Sequence, residues 1–140
     1  MKNYLLYILI AITAVSCNLD NDDTDYLSYE LVPVNNVVIP DTLDFGEQYD
    51  FEISYLKPST CHTFSGFDYN QEENIREIGL VNSVYYDENT SCTILEEELE
   101  IETLPFEVLR EDNYIFKFWQ GVNENGENIY LTKEIPVRAN

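Results

Sequence analysis

From Tyr26 onward the chain is written in twos. Phe45, Tyr49, Phe51, Ile53 and Tyr55 share one parity, while Asp50, Glu52 and Ser54 take the other. That period of two marks a strand with one face in a core and one in water. Tyr29, Leu31 and Pro33 alternate in the same way ahead of Val37, Val38 and Ile39, and Pro40-Asp41 closes that segment. Cys61 to Tyr69 is aromatic-rich and interrupted by Gly66, and Ile75 to Tyr86 is a long apolar run in which Gly79 marks a bulge. Leu99, Ile101 and Thr103 alternate with Glu98, Glu100 and Glu102, so the glutamates read as the wet face of a strand that Leu104-Pro105 ends.

The clearest element is the last hairpin. Tyr114–Val122 and Glu127–Val137 flank Asn125-Gly126, a strong signal for a two-residue turn. That turn sets Tyr114 opposite Val137, Phe116 opposite Ile135, Phe118 opposite Lys133, Gln120 opposite Leu131 and Val122 opposite Ile129, a nearly apolar inner face. The outer face then pairs Lys117 with Glu134, Trp119 with Thr132 and Gly121 with Tyr130.

No segment carries a convincing helical period. Strands over 28–39, 45–56, 61–69, 75–86, 95–103, 113–121 and 127–137 predict an all-β fold, an immunoglobulin-like antiparallel β-sandwich of about seven strands. Tyr114 opens its strand after Asp112, in the manner of a tyrosine corner.

The first 25 residues follow a different rule. Lys2 precedes an apolar block, Tyr4 to Val15, and small residues Ala14 and Ser16 lead into Cys17. A spanning helix needs about 20 apolar residues, and this block of 12 has the length of a signal segment instead. The order resembles a bacterial lipoprotein signal, with Ala14 standing where leucine is commonest. The resemblance implies cleavage after Ser16 and acylation, with palmitate-type chains, of Cys17. The expected organisation is a signal peptide over 1–16, an acidic tether over 17–26 and a β-sandwich domain over 27–140. Asn18 to Asp25 has one apolar residue and four aspartates, too little to order itself. Asp20 and Asp22 fit the first positions of a calcium loop, but neither the glycine nor the distal glutamate follows in register.

Charge narrows the partners. Loss of the first 16 residues leaves 124 and removes Lys2, so the formal charge moves from −20 to −21. Nucleic acid is excluded as an expected partner, because phosphate binding needs a basic patch. Anionic lipid is disfavoured for the same reason, so membrane attachment is expected through acyl chains alone. With Cys17 assigned to lipid, Cys61 and Cys92 remain, and an even pair in an exported domain predicts a disulfide. In a sandwich of this order both sit on loops at one pole, which supports the same pairing.

Catalytic groups are sparse. His62 is the only histidine, and Cys61 beside it points to the opposite strand face. Neither a nucleophile-elbow serine nor a zinc-binding histidine pair occurs. A glycosidase carboxylate pair would need an apolar cleft. The expectation is no catalytic activity, no cofactor and no metal, with a small hydrolase as the alternative from another class. Asp41-Thr42-Leu43 matches an O-glycosylation acceptor, and Asn89-Thr90-Ser91 an N-glycosylation sequon; an exposed turn and a loop account for them as well.

The remaining surface signal is Trp119 with Tyr130 on the outer hairpin face, beside Gly121 and near Gln120, Asn123 and Asn128. A large aromatic on a strand's wet face marks either recognition or a residue covered by another segment. These five residues are the candidate ligand site, for an unknown protein or a glycan.

The acidic run after Cys17, Cys61-His62-Thr63-Phe64, and the ending Tyr114 to Gly121 with Asn125-Gly126 are similar to those of small lipoproteins of Bacteroidota. The resemblance implies an outer-membrane, cell-surface protein. It carries no assigned activity and no functional residues, and a carbohydrate-binding accessory role is the companion expectation.

Overall fold

The computed structural model describes residues 26–87, 89 and 91–139. The signal segment, Cys17, the acidic tether and Thr90 of the sequon lie outside them. Among the described residues the secondary structure is strand only: β1 (Tyr26–Val32), β2 (Val34–Val38), β3 (Leu43–Asp44), β4 (Gln48–Leu56), β5 (His62–Glu72), β6 (Ile75–Tyr86), β7 (Leu99–Glu107), β8 (Tyr114–Val122), β9 (Asn128–Ile135) and β10 (Val137–Arg138). The expected all-β class and the 75–86 strand are found as read.

Two sheets face each other in a β-sandwich-like arrangement. One is β2-β4-β7, wholly antiparallel. The other is built on β6, whose length decides its shape. β5 covers one edge of β6 from Ile75 to Val84. The other edge is shared: Ile75–Ile78 pair in parallel with Ile115–Phe118 of β8, and Leu80–Tyr86 pair antiparallel with Val32–Tyr26 of β1. β8 and β1 therefore meet end on along one edge, and β9 extends the sheet beyond β8. The parallel β6–β8 pair departs from the purely antiparallel expectation. A third, short parallel pair, β3 with β10, joins the chain's end to the connection between β2 and β4.

Prolines move the chain between sheets. The segment read as one strand over 28–39 breaks at Pro33, with β1 in the larger sheet and β2 in the smaller. Pro136 divides the last strand in the same way, β9 from β10. Proline cannot donate to a ladder, so a crossing costs least there. Pro105 behaves oppositely. It was expected to end its strand, yet β7 runs on to Glu107. β7 is an edge strand, so the absent N–H costs no ladder bond.

The core is a ring stack between the sheets. Phe51, Phe106, Tyr114 and Phe116 meet at centroid distances of 5.0–5.6 Å, mostly edge to face. The Tyr114 hydroxyl accepts the Leu109 N–H at 3.1 Å, tying the strand back to the preceding loop as a tyrosine corner does.

That stack inverts the reading of β7. Leu104 and Phe106 face the core, and β7 pairs with β4 without a bulge. Parity therefore carries Glu100 and Glu102 inward and turns Leu99 and Ile101 outward, 51% and 59% exposed. Glu100 and Glu102 are therefore part-buried and not the wet face, while Glu98, just ahead of the strand, is exposed as read.

Candidate functional site

The expected register of the last hairpin is corrected by two one-residue steps. The loop holds three residues rather than two: the Asn123 N–H donates to the Glu127 carbonyl and the Gly126 N–H to the Asn123 carbonyl, with Gly126 at φ +80°. This is a turn followed by a left-handed glycine, which shifts the pairing by one. A bulge between Trp119 and Gly121 shifts it once more. Tyr114 then faces Ile135, Phe116 faces Lys133, Phe118 faces Leu131, and Trp119 lies directly opposite Tyr130. Lys117 pairs across with Thr132 and makes its ion pair with Glu77 at 3.1 Å, not with Glu134.

The bulge lies where β8 parts from β6 and β1 takes its place. Trp119 remains on the outer face at this fork, half-buried, with its indole N–H donating to Asn128 Oδ1 at 3.0 Å. Gly79 of β6 is the floor. A Cβ there would lie 2.7 Å from Leu31 Cδ2, so the missing side chain leaves room for the Leu31 side chain to lie over β6. The result is a hollow of about 260 Å³ between Trp119, Tyr130 and Asn128 on one side and Asp68, Asn70 and Glu77 on the other, with Leu31 at its end. The Lys117 ammonium lies 5.7 Å from the Tyr130 ring centroid, and Glu77 neutralises it.

The hollow is concave, aromatic on one flank and polar on the other. The Asp68 carboxylate and the Asn70 amide make no hydrogen bond among the described residues, and the Asn128 amide N–H groups are likewise unspent. A larger hollow of about 530 Å³ lies beside Asp44 and Arg138, where Asp44, Tyr49 and Arg138 already serve each other. Arg138 Nε is 2.8 Å from Asp44, and the Tyr49 hydroxyl donates to the same carboxylate at 3.1 Å.

Of the five residues proposed from the sequence, Trp119, Tyr130 and Asn128 meet in the hollow. Gln120 and Asn123 do not. At the bulge Gln120 Nε2 donates to the Val34 carbonyl at 3.1 Å and pins β8 to β2. Asn123 Oδ1 accepts the Asn125 and Glu127 N–H groups at 2.9 Å and braces the turn. Asp68, Asn70, Glu77 and Leu31 belong to strands whose neighbours pattern alone does not reveal. Gly79 was the one available sign, read as a bulge; β6 continues through it as a close approach.

Cys61 and Cys92 form a disulfide with Cα atoms 5.4 Å apart. Beside it stands a constellation the sequence reading missed. Ser59 Oγ and His62 Nδ1 are 2.7 Å apart, and His62 Nε2 is 3.4 Å from Glu30 Oε2. The types are those of a serine triad, but Ser59 is 6% exposed and its hydroxyl accepts the Cys61 N–H of its own turn. A carbonyl needs about 3 Å access to the nucleophile, and here the turn occupies that approach. The group acts as a brace for the disulfide loop.

Between the sheets lies a second polar cluster. Lys57 holds Glu100 at 3.0 Å and, with the Tyr55 hydroxyl donating to it at 3.0 Å, keeps that carboxyl below the usual range. Burial, with Glu100 beside it, raises the Tyr55 phenol well above its ordinary value. Burial, and then Glu100, raises Glu102. Asn82 is fully buried beside the Tyr55 phenol, and neither of its amide atoms makes a well-formed hydrogen bond among the described residues. No cluster of three metal-ligating side chains occurs among the described residues. Comparison with known protein families, curated proteins and solved structures finds no match.

Proposed function

We propose that this chain is a lipid-anchored binding module displayed on the cell surface from the outer membrane, that it is non-catalytic, and that the Trp119 hollow is its recognition site. The observation that carries the site is the fork. There two aromatic rings converge on a glycine floor with Asp68 and Asn70, which make no hydrogen bond among the described residues, and Asn128, whose amide N–H groups remain open, the composition of a small-ligand site. The anchor rests on the resemblance of Lys2 to Cys17 to a lipoprotein signal, and the immunoglobulin-like sandwich on the two facing sheets and the Tyr114 tie.

Trp119 is the only tryptophan, so intrinsic fluorescence reports on this site alone. Ligand bound there shifts the emission, and Trp119→Ala removes binding while lowering stability by about 2–3 kcal/mol, less than a core aromatic because part of the ring stays in solvent. A loss of about 3–5 kcal/mol is the cost of a core aromatic and would overturn the reading. For the anchor, Cys17→Ala releases the protein from membranes; an unmodified Cys17 in the intact mass of the native protein refutes acylation.

A further inference from the structure

The hollow opens onto more surface than a single small ligand covers. β1 presents Leu27, Tyr29 and Leu31 on the same outer face, 55%, 64% and 43% exposed. Leu31 is shared with the hollow, so the exposed row continues from Trp119 without a step. At about 3.3 Å per residue the row along β1 adds roughly 13 Å to the length of the site. Scattered exposed apolar residues need no explanation, but a continuous row joined to a polar-rimmed hollow marks a binding surface.

Resting on the proposed recognition site, we infer that the ligand is a neutral oligosaccharide, seated with one sugar in the Trp119 hollow and its chain lying along β1 over Leu31 and Tyr29. Three features select this chemistry. Sugar rings have apolar faces that stack on aromatic and aliphatic side chains, and hydroxyl edges that both donate and accept. Asp68 offers acceptors and Asn70 and Asn128 offer donors around one ring-sized space, which suits such edges. Charge excludes the alternatives. Glu77 and Lys117 cancel, which leaves Asp68 as the uncompensated charge in the hollow, on a chain of formal charge −20. An anionic sugar is repelled. On the Tyr130 ring the cation position is already taken by Lys117, 5.7 Å from the centroid, so a cationic ligand finds that aromatic face occupied.

The test uses the disulfide-intact domain and Trp119 fluorescence, with calorimetry on a broad panel of neutral glycans. Oligosaccharides of increasing length from each binding class follow, with oligogalacturonate and a lysine-rich peptide as charged controls. The expected result is binding of a neutral glycan whose affinity rises with length and then levels off. Trp119→Ala weakens every length by about 30-fold or more, and Tyr29→Ala weakens long ligands by roughly five- to tenfold while sparing the shortest. Both variants keep the wild-type fold by circular dichroism. Affinity independent of length, or an unchanged long-ligand affinity in Tyr29→Ala, refutes the extended chain. Preference for a charged control, or binding of the unlipidated domain to zwitterionic vesicles through the β1 row, refutes the neutral sugar. If no glycan binds but another ligand shifts Trp119 emission, the sugar inference fails while the recognition site stands. If every ligand that binds the protein leaves Trp119 silent, both fail.

Discussion

Replacing both Cys61 and Cys92 by alanine tests how the domain is held together at its disulfide pole. The bridge spans a sequence separation of 31. In the chain-entropy description, closing a loop of that length in the unfolded chain is worth about 3.7 kcal/mol at 25 °C. Cys61 is nearly buried, so truncating its sulfur adds a fraction of a further kcal/mol. The folded state is expected to survive. The Lys57, Thr60 and Leu95 amides donate to the Glu98, Thr93 and Pro58 carbonyls and hold the two segments together without the bridge. The cost then lies in the unfolded ensemble, which becomes more expanded. Equilibrium urea unfolding of the double variant is expected to show a loss of about 3–5 kcal/mol together with a steeper m-value. With m near 2 kcal/mol/M, the midpoint falls by about 2 M. A loss below about 1 kcal/mol at unchanged m would refute the entropic account. A loss of native circular dichroism in water would show that the three backbone bonds do not hold the loop.

Other expectations follow from the polar core and the fork. Asn82→Leu removes a fully buried amide with no well-formed hydrogen bond among the described residues and is expected to stabilise by about 1–2 kcal/mol in urea unfolding; destabilisation would show that the amide is served by an internal water or by Tyr55. Glu102 has a raised folded pKa, so its ionised form costs stability above that value and nothing once both states are protonated. Glu102→Gln should therefore stabilise at pH 7, with the gain disappearing below about pH 4 in a pH series of melting curves. Glu100 has the opposite sign: its depressed pKa contributes stability above the ordinary carboxylate value, lost as pH falls through the folded value, and Lys57→Met should remove most of that pH dependence. Gly79→Ala meets only the tip of Leu31, a flexible and partly exposed side chain, so stability should change by less than about 1 kcal/mol while ligand affinity at the hollow falls.

The elements were readable where one physical demand acted alone. β4 is polar on one face and aromatic on the other because it sits mid-sheet over the ring stack, and β6 has sharp ends because polar loops bound it. β7 misled because two demands conflict along it. Its C-terminal half delivers Leu104 and Phe106 to the core, and rigid parity drags Glu100 and Glu102 with them, where Lys57 and Tyr55 are waiting from another strand. No local pattern contains Lys57. Pro105 was read as a stop and Pro33 and Pro136 as strand interior, yet Pro33 and Pro136 are crossings and Pro105 lies inside an edge strand, a distinction that depends on what lies beside the strand. Trp119 and Tyr130 could be named from sequence because they stand out among polar neighbours. Their direct opposition needed the three-residue loop and the bulge; Leu31 reaches them through the edge of β6 that β1 and β8 share, and Asp68 and Asn70 from β5 on its other edge.

That shared edge has a mechanical side. The chain enters β1 at Tyr26 and runs antiparallel to β6, from Tyr86 to Leu80, before Val34 is buried in the other sheet. Tension applied through the N-terminus pulls β1 along its own axis. Its bonds to β6 must then slip together rather than open one after another, and the load passes onward to a second sheet. A ligand held beside Leu31 would therefore be grasped next to the strand that bears a pull from the N-terminus, so drag on it would load β1 directly.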